Sequence, residues 1–151
     1  MKRILLFLAT NLAIMLLLGS FGAGDGMFIL YKVTQINNNG SQAVTYVFDV
    51  NNVFVSAFNH EFDAHAFIAG IPKERIVQFH LAGHEHNMSH IVDTHDAMVC
   101  DEVWDLYRSA LKQFGAVSAI IERDDHIPPL DEMVRELDVA REDREQFLGF
   151  R

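Results

Sequence analysis

This 151-residue chain is short of thiols and of positive charge. A single cysteine, Cys100, leaves no partner for an internal disulfide and no thiolate set for a structural zinc knot. Twelve Lys and Arg stand against 21 Asp and Glu, for a net charge of -9. A surface of that sign repels a phosphate backbone, so nucleic acid is excluded as a partner. Long apolar runs are scarce too, with one at the amino terminus, and the length suits one globular domain. Histidine, by contrast, is plentiful: there are eight, seven of them between His60 and His95.

The apolar run lies in "MKRILLFLATNLAIMLLLGSFGAGDG", where Ile4 to Leu18 are interrupted only by Thr10 and Asn11. Extended to Ala23 it approaches the roughly 20 residues that cross a bilayer. Residues 1–23 therefore read as an apolar signal-anchor or transmembrane-like helix, with Lys2 and Arg3 on the cytoplasmic side. This predicts a chain that is membrane-associated through residues 4–23, or cytoplasmic if the segment is not inserted; a buried helix is the other reading. Residues 1–20 also resemble the leader of the HtpX-type membrane zinc proteases. Such a protease needs H-E-x-x-H, which sets two histidines on one helix face. Here "HEFDAH" puts His60 and His65 five apart and "HEHNMSH" puts His84 and His90 six apart, so the protease is rejected. Residues 24–43, containing "NNNGSQ", read as a linker, with a boundary near Ser41 and a folded domain over 44–145.

Within that domain the pattern alternates. Strands are predicted over 44–50, 75–83 and 116–125, where β-branched and aromatic residues concentrate. A short helix is predicted over 62–71, closed by Pro72, and a polar loop over 84–99. An amphipathic helix follows over 100–115, with Val103, Leu106, Tyr107, Ala110, Leu111 and Phe114 at three- and four-residue steps. Asp101 is expected to cap its start and Gly115 its end. A last helix over 129–147 is expected to face inward with Leu130, Met133, Val134 and Leu137. Strands alternating with helices imply an α/β fold with parallel pairing.

Asp49, His80 and Glu122 fall at or near the carboxyl ends of the three strands, the edge where barrel sites are built. Asp93 and His95, spaced i and i+2, project to one side of an extended loop. A mixed oxygen and imidazole set suits iron, manganese or zinc better than calcium or magnesium. Each residue also has a plain structural role open to it. Asp49 before "NN" can close an Asx turn, His80 can be a satisfied core histidine, Asp93 a helix cap, and Glu122 a partner for Arg123. His84, His86 and His90 of "HEHNMSH" can simply be exposed.

The order Asp, His, Asp-x-His, Glu resembles the trinuclear metal barrels of the endonuclease-four and xylose-isomerase-like superfamily. Four stretches, "FDVNNVFVSAFNHEFDAHAFIAGIP", "QFHLAGH", "DTHDAMVCDEVWDLY" and "IERDDHIPPLDEM", resemble more specifically the multinuclear non-haem iron-dependent oxidative enzymes (MNIO), the methanobactin-building type, over about residues 44–140. The resemblance implies a TIM barrel that binds two or three irons, with zinc or manganese as alternatives. It also implies O₂ activation and oxidation of a cysteine in a ribosomally made precursor peptide brought by a delivery protein, in the cytoplasm. It places metal ligands at Asp49, Asn52, His80, Asp93, His95 and Glu122, with His84 and His60 as weaker candidates. Met98 stands where a proline is expected. A full (β/α)₈ barrel needs about 250 residues, so the expectation is its C-terminal three βα units, preceded by an apolar helix, in a truncated or recombined reading frame. Two other functions stay open: a metal-dependent phosphodiesterase or isomerase of the same barrel type, and an inactive membrane-anchored remnant.

Overall fold

β-Branched and aromatic residues dominate "QAVTYVFD" and "IVQFHLA", and both segments form strands, β2 (Gln42–Asp49) and β3 (Ile76–Ala82). The computed structural model describes residues 30–36, 42–115 and 117–149. Within them β1 (Leu30–Ile36) runs antiparallel to β2, pairing Leu30 with Phe48 and Ile36 with Gln42. Strands β1 and the start of β2 thus fall in the stretch read above as a linker. β3 lies parallel beside β2 and is flanked in turn by β6 (Ser118–Glu122), also parallel, giving the order β1-β2-β3-β6. Two three-residue strands, β4 (Glu85–Asn87) and β5 (His90–Val92), make a small hairpin inside the segment expected to be a plain loop. The described elements form a mixed α/β arrangement with parallel strands and helices, consistent with partial TIM-barrel units.

Register decides which side chains share a face, because laterally paired residues point the same way while neighbours along a strand alternate. Phe48 and Phe79 pair across β2 and β3, with Ala119 beyond on β6. Their face meets helix α3 (Asp101–Phe114): Phe48 lies 5.2 Å from Phe114, and Phe79 meets Tyr107 edge-on at 5.6 Å, ring centre to ring centre. Each fully buried side chain of this size contributes about 1.5–3 kcal/mol. On the opposite face Asp49, His80 and Ile120 are in register, and Glu122 follows two residues past Ile120. The register thus sets Asp49, His80 and Glu122 on one side of the sheet, near its carboxyl edge.

Helix α1 (Val50–His60) begins with no intervening loop after β2. The stretch "VNNVFVSAFNH" lies mostly between the strand predicted over 44–50 and the helix predicted over 62–71, where no element is expected. It is helical because Asp49 caps it, accepting the backbone N–H of Asn52 at 2.9 Å. The helix expected over 62–71 shortens to α2 (Ala64–Ala69), capped by Asp63. A 3₁₀ turn (Lys73–Arg75) follows Pro72. Three further expectations need correction. Asp101 is the first residue of α3 and the cap position is Cys100, whose side chain makes no capping bond. β6 is five residues long, half the predicted span. Helix α4 (Leu130–Leu148) buries Glu136, Ala140 and Asp143, whereas Leu130 is 76% exposed and Val134 is exposed as well. Carboxylates face inward there because Arg123 and Arg108 are waiting for them.

The expectation of a membrane-associated chain is also corrected: no helix among the described residues is long and apolar enough to cross a membrane. The apolar segment 1–23, with its likeness to a protease leader, and residues 24–29 and 37–41 of the linker lie outside the described residues.

Candidate metal centre

Asp49 is the fixed point of the cluster. It is fully buried, and both of its oxygens are held by the first turn of the helix it caps. Oδ1 accepts the Asn52 N–H, and Oδ2 accepts the Asn52 amide at 2.8 Å. The same Oδ2 lies 2.7 Å from Nδ1 of His80, next door on β3. The other imidazole nitrogen, Nε2, is 2.6 Å from Oε2 of Glu122 at the end of β6. Burial works against a proton on His80, but the hydrogen bonds and charges of Asp49 and Glu122 outweigh it and push its pKa up to about 9. The ring is therefore a cation wedged between two carboxylates.

The second half comes from the loop before α3. Asp93 is gripped by two amides: Oδ2 accepts Asn52 Nδ2 at 2.7 Å, and Oδ1 accepts Asn51 Nδ2. His95 sits in the left-handed region, with φ at 53°. Its N–H donates to Gly83 O at 3.2 Å and its C=O accepts Asp124 N at 2.9 Å, so strand β3 and the end of β6 clamp it from both sides. Gly83 has to be glycine, because a Cβ there would lie 2.0 Å from Ala97 O. The His95 ring stacks obliquely against His80 at 5.1 Å. Its Nδ1 is 3.3 Å from both Glu122 Oε2 and Asp124 Oδ2. Its Nε2 is buried and makes no hydrogen bond, although Asp93 Oδ1 lies 3.0 Å away, off the direction that a bond needs.

His80, His95 and Glu122 each offer one ligand atom, all within 4.8 Å of one another. Four carboxylates, Asp49, Asp93, Glu122 and Asp124, crowd two imidazoles, so the cluster carries more negative than positive charge. An orphaned buried imidazole nitrogen and an excess of hard oxygen donors suit a divalent transition metal. Five of the six residues expected to hold metal, Asp49, His80, Asp93, His95 and Glu122, converge with donor atoms facing one another. Asn52 converges too, but its amide nitrogen bridges the Asp49 and Asp93 carboxylates. His84 lies on the rim, its Nδ1 2.8 Å from Asn51 Oδ1 and its ring 5.1 Å from Phe54; burial lowers its pKa despite the nearby charge of Asp93. His60 is exposed at the far end of α1, about 15 Å along the helix at 1.5 Å per residue.

Three contributors went unnoticed in the sequence. Asn51 is fully buried and ties Asp93, Gly83 O and His84 together. Asp124 faces His95, and Gly83 seats the loop. Cys100 stands apart at the start of α3, half-buried, with burial pushing its thiol up.

Comparison with known proteins gives the site a context. A family model described as "RiPP precursor modification enzyme MbnB/TglH/ChrH" matches residues 38–144. Similar curated proteins include a UPF0276 protein of Caulobacter vibrioides, 54% identical over 93 residues, which cover 62% of this chain and 33% of that protein. One from Rhizorhabdus wittichii is 54% identical over 94 residues, covering 62% of this chain and 34% of that one. Another, from Anaeromyxobacter, is 50% identical over 88 residues, covering 58% and 31%. The chain thus spans about a third of the length of the curated relatives it matches. The likeness of residues 1–20 to a protease leader falls outside the matched residues.

Proposed function

The chain belongs to the MbnB/TglH/ChrH family of RiPP precursor modification enzymes, and from that premise we propose that it carries the metal centre of an iron-dependent oxidative enzyme acting on a cysteine of a precursor peptide. His80, His95 and Glu122 hold one ion in this reading, and Asp93 supplies a further oxygen from the loop side. Asp49 fixes the His80 ring through Nδ1, leaving Nε2 as the donor. Asn51 and Asn52 hold the Asp93 carboxylate in place. Glu122, with 45% of its side chain exposed, marks the side from which a peptide reaches the cluster. Bound iron would supply activation of O₂ and a seat for the substrate thiolate. The half-buried Cys100 lies off the cluster, so the thiol comes with the substrate. A delivery protein for the peptide completes the scheme as a proposed partner.

The observation that carries this reading is the buried, unbonded Nε2 of His95, in a cluster that offers three donors within 4.8 Å. Anaerobic titration of the purified full chain with Fe²⁺, followed by elemental analysis after desalting, tests it. Retained iron in near-integral ratio, with zinc or manganese bound at the same place in competition, is the expected result. Folded protein that keeps none of the three overturns the reading and leaves the remnant interpretation standing.

Proton competition sets the pH dependence. The metal-free His80 keeps its proton up to about pH 9, so binding must displace it. Affinity is expected to rise about tenfold per pH unit from neutrality toward that value and then level off. The metal-free fold behaves in the opposite sense. With the folded pKa raised from 6.5 to about 9, the proton's stabilising contribution is complete below 6.5 and is lost as pH rises through 9. Isothermal titration at several pH values in buffers of different ionisation enthalpy counts the released proton. A flat affinity between pH 6 and 9 would contradict the assignment of His80.

A further inference from the structure

Next to Glu122 in the chain begins a buried ion pair, Arg123 with Glu136, neither of which is among the proposed ligands. Arg123 follows Glu122 in the chain, and its guanidinium turns inward, to 4% side-chain exposure. Nη2 donates to Glu136 Oε2 at 3.0 Å, and Glu136, on the second turn of α4, is 3% exposed in its side chain. The two groups also reach past each other to the loop that carries Asp93 and His95. Arg123 Nη1 donates to Asp96 O at 3.5 Å, and Glu136 Oε1 accepts Val99 N at 2.6 Å.

A buried pair of this kind is a poor source of net stability, since desolvation cancels much of the attraction. Two apolar side chains of similar volume would avoid that desolvation, at the expense of the bonds to Val99 N and Asp96 O. Its geometry suggests another use. Among the described residues, the loop from Asp93 to Val99 has two backbone anchors of its own, His95 N to Gly83 O and Asp124 N to His95 O. Both lie at His95 and neither reaches its carboxyl half. The pair supplies what is missing there: Asp96 O is bound by Arg123, directly after Glu122, and Val99 N by Glu136, the partner of Arg123.

We infer that the Arg123–Glu136 pair is a positioning latch that holds the Asp93–His95 loop and Glu122 at the separation a metal ion requires. The inference rests on the metal-centre reading proposed above. It goes beyond that reading by giving α4, which supplies none of the proposed ligands, control over metal affinity. Neither latch residue is a ligand; both act through the backbone of the segments that carry ligands. The two charges have to be paired and hydrogen-bonded for the latch to hold, because each is shut off from water.

The test separates positioning from stability with a matched control. Arg108 and Asp143 form a second ion pair across α3 and α4, at 3.0 Å with the carboxylate largely buried, and neither reaches the loop. Co²⁺ affinity and visible ligand-field spectra are measured on the full chain for wild type, E136Q, D143N and the apolar double variant R123M/E136M, well below each melting point. The expected result is Co²⁺ binding weakened about 10- to 100-fold in E136Q, the loss typical of an orienting group behind a ligand, with an altered spectrum. D143N is expected to melt lower and to bind as wild type does. R123M/E136M fills the same space without buried charge, and so keeps the measurement possible should E136Q fold poorly. It is expected to match E136Q in affinity while melting higher. Wild-type affinity and spectrum in E136Q or in R123M/E136M overturn the latch while leaving the centre intact. Equal weakening in D143N overturns it as well, since general loosening would then explain the loss. Wild type that binds no Co²⁺ overturns the metal-centre reading itself, and the latch with it.

Discussion

His80→Ala is expected to weaken metal binding by at least about 100-fold, more than the loss typical of a group behind the ligands, while the chain still folds. The ring joins Asp49 of β2, at 2.7 Å, to Glu122 of β6, at 2.6 Å, across the cluster. Without it one donor is gone and Glu122 loses the partner that fixes its oxygen. Asp49 remains tied to Asn52 by two hydrogen bonds, so α1 keeps its cap. His84→Ala provides the comparison. His84 lies on the rim with its Nδ1 engaged by Asn51, and its removal is expected to change affinity by no more than a few-fold. Elemental analysis and competition titration on both variants decide the matter. Equal affinities in the two would show that the cluster at the strand ends is not where metal is held.

Glu136→Ala should be the most destabilising single change in α4, by about 3–5 kcal/mol. The substitution leaves the Arg123 guanidinium without its carboxylate in a site that water does not reach, and it orphans the Val99 N–H. Against a total stability of about 5–15 kcal/mol for a domain of ordinary size, such a loss threatens the fold itself. At about 2–4 °C per kcal/mol for a chain of this length, the melting temperature of the metal-free protein should drop by about 6–20 °C. Urea unfolding followed by circular dichroism reads the change. A loss below about 1 kcal/mol would mean that Arg123 finds another partner, and that the burial seen here is not a constraint. Leu130→Ala is the contrasting case in the same helix. Although apolar, Leu130 is 76% exposed, and little change is expected.

How much of this the sequence discloses depends on how local each signal is. β2 and β3 are legible because a run of β-branched and aromatic residues is its own evidence, and Asp49, His80 and Glu122 are legible because they stand at the ends of such runs. α1 is hidden for the opposite reason. Val50, Val53 and Val55 favour a strand by themselves, and only the cap at Asp49, together with burial of one helix face, overrides that preference. Strands of three residues, as in β4 and β5, carry too little pattern to be seen. The inward face of α4 is misread because periodicity ranks residues by hydropathy. Glu136 and Asp143 turn inward toward arginines, Arg123 and Arg108, on other elements. Asn51 and Asp124 join the cluster only after a helix start and a loop have placed them, which no spacing rule anticipates.

The carboxylate at position 49 serves two masters. One oxygen starts a helix, and the other governs the charge of an imidazole on the neighbouring strand. Architecture and chemistry are thereby written into a single side chain three bonds long. Exchanging it even for asparagine, which caps helices well, would preserve the first duty and forfeit the second. Glutamate would keep the charge but overshoot the backbone it must reach. Neither replacement performs both duties at once.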